Sequence, residues 1–477
     1  YWKRGGAVLI GACLIGLCIF GIRGRTGYNP IKVSAAYFCQ DAFLNQLGVS
    51  PTFNLLTSVM DDMRPENKYL HLMDEQEAIT KAQALLNRPG DANVSPLAVY
   101  RRAAKADSVQ QRRPNVVLIM MESMSAKFMK HFGQSETLTP FLDSLYTRSI
   151  SFRNFYSAGI HTNHGLYATL YSFPAMMKRN LMKGSVIPRY SGLPTVLKEN
   201  GYYNLFFMTH EGQYDNMNAF FRTNGYDEVF SQEDYPADKV VNSFGVQDDF
   251  LYDYAIPVLN QRAATGQPFF ATLLSISNHP PYVIPPFFHP KTSEPEMQIV
   301  EYADWALRQF FEEARKQPWF DNTIFVLEGD HGKLVGDAEC ELPESYNHIP
   351  LMIYSNRIQP EEKTAFGGQV DIQPTILGLL NIDYLQNNFG VDLLKEERPC
   401  MFYTADNMVV GRNDTLLYLY NYETQQELTY DIGNGKLNAV PMDDSFLPLK
   451  EYSFSMLQSA EFLVKHGKTL NSIPFTQ

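Results

Sequence analysis

Short and nearly continuous apolar runs recur along the chain from Pro114 onward, and they alternate with stretches of helical periodicity such as residues 297–315. The clearest runs are Val116–Met121, Leu205–Met208, Phe269–Ile276 and Thr323–Leu327. Strands that do not alternate polar and apolar residues are buried on both faces, which is typical of parallel sheets covered by helices. The pattern therefore predicts an α/β domain with a mostly parallel sheet sandwiched between helices.

The N-terminal region has a different pattern. Gly5–Ile22 carries no charge and is flanked by basic residues on both sides, Lys3, Arg4, Arg23 and Arg25. As a helix this run spans roughly 27 Å, close to the thickness of a bilayer's hydrocarbon core. We predict a transmembrane helix within residues 1–26, as the end of a truncated membrane region, with a signal peptide or a buried core helix as alternatives. Its orientation is not decided by the flanking charges.

Residues 27–112 are predicted to form a helical linker. Met73–Arg88 is rich in good helix formers, and Pro89-Gly90 ends it. Residues 113–477 are then predicted to form the main α/β domain.

Charge and cysteine content narrow the possible functions. The 477 residues include 52 acidic and 40 basic ones, a net charge of −12, which argues against nucleic acid as a partner. None of the five cysteines forms a CxxC pair, which disfavours a zinc ribbon or a thioredoxin-like motif. A disulfide between Cys340 and Cys400 is possible in an oxidising compartment, but the sequence leaves that pairing open.

Polar residues that can bind a metal or a phosphate follow each of the four apolar runs. They are Glu122-Ser123, Thr209-His210, Asn278-His279 and Asp330-His331. In open α/β sheets the ligand crevice lies at the carboxyl ends of the strands. One such pair alone is more often a turn former or a helix cap, whereas four together favour a functional site.

The candidate metal ligands are Asp330, His331 and Glu122. Asp330 and His331 follow one apolar run and precede Gly332, and Glu122 follows the first apolar run. Glycine permits a tight turn of the backbone at that point. Two carboxylates and one imidazole suit Mn²⁺, Mg²⁺ or Zn²⁺, and the residue types do not choose among these ions.

Thr162 is the candidate nucleophile. It lies where a loop is predicted to enter a helix, within residues 157–174. A threonine there can simply be the helix N-cap. Alternatively, the helix N-terminus attracts a phosphoryl group and metal contact lowers the pKa of the hydroxyl. Ser123 is the weaker candidate.

Several motifs in order resemble those of lipoteichoic acid synthases and related phosphoglycerol transferases, within the alkaline phosphatase/sulfatase superfamily. They are NVVLIMMES, GIHTNHG, SISNHPPY, EGDHG, NHIPLMIYS and VDIQPTILGLLNI. The resemblance covers roughly residues 114–400. It implies an alkaline-phosphatase-like fold behind one or more transmembrane helices.

The resemblance also implies residue roles. Glu122, Thr162, Asp330 and His331 match the ligands of one divalent metal, with Mn²⁺ favoured over Mg²⁺ or Zn²⁺. Thr162 also matches the nucleophile that carries a covalent phosphoglycerol intermediate. His279 matches a histidine that contacts the substrate phosphate.

Other positions match less closely. His210 is similar to a further active-site histidine, and His348 to one in phosphoethanolamine transferases, with a structural role as its alternative. The tryptophan and arginine that hold glycerol phosphate in lipoteichoic acid synthases are missing from the stretch after His210, where Arg222 could substitute. No Cys/Ser-x-Pro-x-Arg stretch occupies the nucleophile position, which disfavours a formylglycine sulfatase.

The implied reaction is transfer of a phosphoglycerol-type group from a phospholipid such as phosphatidylglycerol to a glycan or polymer acceptor. The domain is expected on the extracytoplasmic side of a bacterial cytoplasmic membrane. The alternatives are phosphoethanolamine transfer, hydrolysis of a phosphodiester or a sulfate ester, and a non-catalytic membrane protein that binds or signals.

Overall fold

The structure, a computed structural model, describes most of the chain. The described residues are 2–26, 29–39, 44–45, 47–64, 67–88, 97, 101–103, 113–184 and 187–471. The predicted Pro89-Gly90 stop of the linker helix and residues 104–112 at the predicted domain boundary lie outside them.

Helices and strands alternate through most of residues 113–471. The helices are α1 (Trp2–Arg23), α2 (Pro51–Asp62), α3 (Glu75–Leu86), α4 (Pro140–Tyr146), α5 (Thr162–Tyr171), α6 (Leu193–Glu199), α7 (Met217–Thr223), α8 (Asp248–Ala263), α9 (Pro295–Ala314), α10 (Ile372–Leu379) and α11 (Leu447–Lys465). The strands are β1 (Arg101–Ala103), β2 (Asn115–Met121), β3 (Ile150–Tyr156), β4 (Tyr203–Met208), β5 (Glu228–Phe230), β6 (Phe269–Leu274), β7 (Thr323–Gly329), β8 (Leu351–Tyr354), β9 (Glu361–Gly368), β10 (Tyr384–Gln386), β11 (Met401–Thr404), β12 (Met408–Arg412), β13 (Leu416–Asn421), β14 (Gln426–Asp431) and β15 (Asn438–Ala439).

The main sheet has 8 strands in the order β5-β4-β6-β2-β7-β8-β3-β9. All neighbouring strands are parallel except β8, which is antiparallel to both β7 and β3. The predicted α/β fold with a mostly parallel sheet is therefore confirmed. The four apolar runs of the sequence become β2, β4, β6 and β7, which lie side by side in the order β4-β6-β2-β7.

Both faces of the sheet are buried. Along β2, Val116, Leu118 and Met120 belong to one hydrophobic core, and the alternate residues Val117 and Ile119 belong to the other. Each such side chain contributes about 1.5–3 kcal/mol when it is fully buried. A strand without a solvent face has no position for a polar residue, which explains its unbroken apolar run.

A second, antiparallel sheet of 5 strands, β11 to β15 in order, follows the main sheet. A third hydrophobic cluster joins the two sheets and includes Tyr156 from β3 and Tyr403 from β11. The sequence analysis did not predict this sheet. Cys340 and Cys400, whose pairing was left open, are both free thiols.

The region of the predicted linker is docked on the domain that contains the main sheet, through α3 and the residues before it. Ala78, Ala82 and Leu86 of α3 are buried in the contact with α11. Gln458 of α11 accepts hydrogen bonds from the backbone N–H of Leu72 at 2.7 Å and of Met73 at 3.4 Å. The predicted helical character of this region is present, and the boundaries at residues 26 and 112 stay predictions.

Helix α1 is long and apolar enough to cross a membrane. Its stretch Arg4–Arg23 has a mean hydropathy of 2.4, and none of it is buried inside the protein.

A buried ion pair joins the edge of the main sheet to the segments that follow it. Arg398 and Asp371 are both fully buried, and Arg398 Nε donates to Asp371 Oδ2 at 2.8 Å. Asp371 also accepts from the backbone N–H of Gly368 at 2.9 Å and of Val391 at 2.8 Å.

Asp371→Ala is therefore expected to lower the free energy of unfolding by about 3–5 kcal/mol, because it leaves the Arg398 guanidinium buried without its partner. Urea unfolding of the full chain in detergent measures this loss. Asp414→Ala, at an exposed position, is the matched control and should change stability by no more than about 0.5 kcal/mol. An equal effect of both substitutions would contradict a stabilising role for the pair.

Candidate metal centre

Glu122 and Asp330 are neighbours because the strands before them are paired. Met121 at the end of β2 lies opposite Gly329 at the end of β7, and the chain continues from these two residues into the two carboxylates. A Cβ at Gly329 would lie 2.4 Å from the Met124 carbonyl oxygen. Glycine is therefore needed for the close approach of the two loops.

Asp330 is oriented by its own loop. One carboxylate oxygen, Oδ1, accepts hydrogen bonds from the backbone N–H of Ser123 at 2.8 Å and of His331 at 2.7 Å. The other oxygen, Oδ2, is buried and has no hydrogen-bond partner among the described residues. Burial and the neighbouring Glu122 carboxylate raise the pKa of Asp330 well above its usual range. Such a pair of buried carboxylates is suited to a cation, which would supply both the missing partner and the missing charge.

His331 directs Nε2 of its ring toward the two carboxylates. Its Nδ1 is 2.7 Å from the Gly332 carbonyl, and since a carbonyl only accepts, Nδ1 carries the proton. Nε2, the nitrogen without a carbonyl partner, lies 3.6 Å from Asp330 Oδ2 and 3.8 Å from Glu122 Oε1. A hydrogen bond of this type fixes the tautomer of metal-binding histidines. The ligand atoms of Glu122, Asp330 and His331 all lie within 4.8 Å of one another.

Thr162 joins this cluster from α5. It is the first residue of the helix, and His161 occupies the cap position, so the structure does not support the N-cap interpretation of Thr162. Its hydroxyl donates to Glu122 Oε2 at 3.4 Å. A Cβ at Gly165 would lie 2.2 Å from the Asp330 carbonyl oxygen, so this glycine lets the first turn of α5 reach the end of β7.

Ser123, the weaker nucleophile candidate, has another contact. Its hydroxyl donates to Glu122 Oε1 at 2.7 Å, which orients that carboxylate. Two carboxylates, one imidazole and one hydroxyl within common reach form a donor set that fits Mn²⁺, Mg²⁺ or Zn²⁺.

The residues after β6 form hydrogen bonds to the loop that carries Glu122. The Asn278 side-chain amide donates to the carbonyl oxygens of Glu122 at 3.2 Å and Ser123 at 3.1 Å. His279 follows and is half-buried, with its ring packed on Phe244 at a centroid distance of 4.0 Å. Nδ1 of His279 donates to the Pro280 carbonyl at 2.6 Å, which leaves Nε2 as the nitrogen available to a substrate.

His210 is buried near the same centre. Burial lowers its pKa, and Glu122 is close enough to oppose that shift. The ring packs against Tyr214 at 4.5 Å, and Nε2 has no hydrogen-bond partner within the described part of the chain. Burial together with Asp215 and Glu122 raises the pKa of Tyr214 to about 12, so this hydroxyl stays protonated at neutral pH.

The structure does not bring His348 or Arg222 to the cluster. His348 Nε2 donates to the Arg153 carbonyl at 2.8 Å and its ring stacks on Tyr156, contacts that fit the structural alternative. Arg222 Nε donates to Asn218 Oδ1 at 2.7 Å, and the side chain lines a separate cavity of about 350 Å³. The described contacts of Arg222 are with its own helix and with β5, and its substitution for the substrate-binding arginine stays a prediction.

Lys333 and Tyr214 also lie near the centre and are not among the residues predicted from the sequence. Lys333 Nζ donates to Asn278 Oδ1 at 2.8 Å and to the Tyr282 hydroxyl at 3.1 Å. Its position two residues after His331 was a signal that could have identified it. No local pattern marks Tyr214, which reaches the centre only because its loop folds over His210.

Asn278→Ala is expected to weaken Mn²⁺ binding about 10- to 100-fold, because the loop of Glu122 loses the amide that holds two of its carbonyls. Calorimetric titration of the full chain with Mn²⁺ measures this effect. The control is Asn356→Ala, an exposed asparagine that donates to Asp321. If Asn278→Ala bound Mn²⁺ as tightly as the parent chain, the two hydrogen bonds from Asn278 to the carbonyls of Glu122 and Ser123 would not be needed to organise the centre.

Comparisons with known proteins find a family and several similar chains. The model of the sulfatase family matches residues 114–382. Lipoteichoic acid synthase 2 of Bacillus subtilis is 24% identical over 315 residues, which are 59% of this chain and 47% of that protein. Lipoteichoic acid synthase 1 of the same organism is 25% identical over 350 residues, 68% of this chain and 53% of that protein. The chain thus spans about half the length of these curated relatives.

Solved structures show the same fold. An alkaline phosphatase superfamily protein from Vibrio parahaemolyticus superposes with a TM-score of 0.75 at 26% identity, over 84% of this chain and 98% of that one. The lipoteichoic acid synthase LtaP from Listeria monocytogenes superposes with a TM-score of 0.64 at 21% identity, over 74% of this chain and 93% of that one. The second likeness concerns the fold alone.

Proposed function

Because the chain belongs to the sulfatase family, we propose that it transfers a phosphoglycerol-type group from a phospholipid to a hydroxyl of a glycan or polymer, with one divalent cation. The observation that carries this proposal is the hydrogen bond of 3.4 Å from the Thr162 hydroxyl to Glu122, within the cluster of Glu122, Asp330 and His331. The similarity to lipoteichoic acid synthases supports the choice of substrate class.

Glu122, Asp330, His331 and the Thr162 hydroxyl would hold the cation, and Mn²⁺ is the ion we favour. When bound, the cation lowers the pKa of the hydroxyl and neutralises charge on the phosphoryl oxygens. The donor set alone also accepts Mg²⁺ or Zn²⁺.

Two displacements at phosphorus complete the reaction. In the first, a bond forms from Thr162 Oγ1 to phosphorus while the bond from phosphorus to the diacylglycerol oxygen breaks. The hydroxyl proton leaves in the direction of Glu122, which already accepts it in a hydrogen bond, and diacylglycerol departs with a proton from water. In the second, the acceptor hydroxyl attacks phosphorus, and the bond from phosphorus to Thr162 Oγ1 breaks. Oγ1 recovers its proton from Glu122, and the proton of the acceptor hydroxyl goes to solvent, which replaces the one that diacylglycerol took.

The half-buried His279 and the buried His210 would contact the transferred group, since both have an Nε2 without a described hydrogen-bond partner. The Lys333 ammonium adds a positive charge beside Asn278 and shares it with the Glu296 carboxylate, which is 3.1 Å away. In a site shielded from water, such charges stabilise a phosphoryl group more strongly than they would on the surface.

A membrane location follows from the donor. Helix α1 would anchor the chain in a bacterial cytoplasmic membrane, with the catalytic domain on the extracytoplasmic side. The chain just beyond α1 is tied to the loop that carries His210, because Arg25 forms an ion pair with Glu211 and Asn29 Nδ2 donates to the same carboxylate at 3.1 Å. This tie would hold the centre near the bilayer, where a phospholipid donor resides.

The test is mass spectrometry of the protein after incubation with a phospholipid and Mn²⁺ but without an acceptor. We expect a covalent adduct on Thr162 with the mass of a glycerophosphoryl group, and no adduct in Thr162→Ala. An adduct with the mass of a phosphoethanolamine group would overturn the proposed phosphoglycerol transfer and support the alternative, phosphoethanolamine transfer. An adduct on Ser123 would overturn the assignment of the nucleophile.

A further inference from the structure

Helix α2 exposes its apolar side chains to solvent. Large apolar residues on this helix and just after it have exposed fractions between 48% and 75%: Phe53, Leu55, Leu56, Val59, Met60 and Met63. The polar residues Asn54, Thr57 and Ser58 of the same helix are half-buried instead. This distribution is the reverse of that on a surface helix of a water-soluble domain, which turns its apolar stripe toward the core.

The exposed residues form one continuous face. At 100° per residue, Leu55, Val59, Met63, Leu56, Met60 and Phe53 follow one another around an arc of about 160°. Asn54, Thr57 and Ser58 occupy the opposite arc. The face is thus an organised stripe, and it is too large to be a scatter of single surface residues.

The occupant of this face is indicated by its surroundings. Exposed large apolar residues of the described chain are concentrated in two places, α1 and residues 31–63, and they are sparse in the catalytic domain. Helix α1 has the length and hydropathy of a membrane span, and α2 begins 28 residues after Arg23. The chain between them is held on the catalytic domain, since Lys32 N–H donates to Gln213 Oε1 at 2.9 Å and Asn218 Nδ2 donates to the Tyr37 carbonyl at 3.1 Å.

We infer that α2 lies flat in the lipid–water interface of the bilayer that α1 enters, with its apolar face among the lipid chains. The inference rests on the membrane anchoring proposed above and not on the proposed reaction. Residues 51–60 contain no lysine or arginine, so burial of apolar surface and not attraction to anionic lipids provides the binding. Helix α2 then needs no anionic lipid, and its contact with the bilayer is insensitive to salt.

Such a helix gives the catalytic domain a second membrane contact. A transmembrane helix and an in-plane helix together restrict the orientation of the domain above the bilayer more than the transmembrane helix does alone. The contacts of Lys32, Tyr37 and Glu211 transmit that restriction to the loop of His210. The mouth of the metal centre would therefore keep a constant orientation toward the lipid.

The experiment measures the quenching of tryptophan emission by brominated phosphatidylcholine in nanodiscs that contain the full chain. Leu56→Trp and Leu55→Trp place the probe on the apolar face of α2. Leu14→Trp places it in α1, and Leu447→Trp places it at an exposed position on α11. The emission of the parent chain is subtracted from that of each variant. The difference is the emission added by the introduced tryptophan alone, without the contribution of the native tryptophans.

We expect brominated lipid to lower the added emission at least twofold for Leu56→Trp, Leu55→Trp and Leu14→Trp, with or without 1 M NaCl, and to leave that of Leu447→Trp unchanged. Quenching at Leu14 alone would overturn the inference and leave the anchoring by α1 intact. No quenching at Leu14 would overturn the anchoring as well. A blue-shifted but unquenched emission at Leu56 would show that protein covers the face, and this outcome too would overturn the inference. None of these outcomes depends on enzymatic turnover.

Discussion

Thr162→Ala is expected to lower the turnover of a phospholipid donor by about 10³-fold or more. The hydroxyl is the group that would bond to phosphorus, and its position at the start of α5, hydrogen-bonded to Glu122, has no second hydroxyl to replace it except that of Ser123. Removing a nucleophile leaves only the catalysis that binding and charge neutralisation provide. Release of diacylglycerol from vesicles, measured at saturating Mn²⁺, reports this loss.

Two further variants make this test specific. Thr162→Ser keeps a hydroxyl at the same place and should retain measurable turnover. Thr147→Ala, an exposed threonine on another helix end, should retain full turnover. Undiminished release of diacylglycerol by Thr162→Ala would exclude the two-step mechanism. The affinity of the same variant for Mn²⁺ shows whether its metal centre is still assembled.

Asp330→Asn is expected to weaken Mn²⁺ binding by about 10³-fold or more. The amide keeps the size of the side chain and one oxygen for the N–H groups of Ser123 and His331, but it replaces the unpaired Oδ2 by a donor that repels a cation. The site also loses one negative charge. Calorimetric titration with Mn²⁺ measures the change in affinity directly.

Thermal unfolding with and without Mn²⁺ tests independently whether Asp330 binds the ion. At Mn²⁺ concentrations of 100 times the dissociation constant, the ion should stabilise the parent chain by about 2.7 kcal/mol and Asp330→Asn by almost nothing. In chelator the variant should be at least as stable as the parent, since the buried repulsion between Asp330 and Glu122 is gone. Asp414→Asn is the exposed control. Equal stabilisation of both variants by Mn²⁺ would show that Asp330 is not a ligand.

Much of the centre could be predicted from the sequence because parallel strands bring their carboxyl ends to one edge. Glu122, His210, His279 and Asp330 each follow a buried apolar run, and adjacency of β4, β6, β2 and β7 places them at that edge. The apolar runs also predicted the fold, since a sheet covered on both faces has almost no polar position along its strands.

Other features depended on contacts between distant segments. His348 lies within the motif NHIPLMIYS and resembles a histidine of phosphoethanolamine transferases, yet its Nε2 donates a hydrogen bond to the Arg153 carbonyl. Tyr214 and Lys333 reach the centre through the folding of loops, for which the sequence carries no periodic signal. The docking of α3 on α11 likewise joins segments more than 350 residues apart.

The sequence by itself determined which strands are buried and which polar side chains follow them. Both are local features, because a buried strand requires an unbroken run of apolar residues and the polar residues come directly after that run. Only the tertiary structure decided which nitrogen of His331 is free, which oxygen of Asp330 is unpaired and which face of α2 is exposed. Those properties depend on single hydrogen bonds and packing contacts between residues far apart in the chain, and such contacts exist only after the segments have come together.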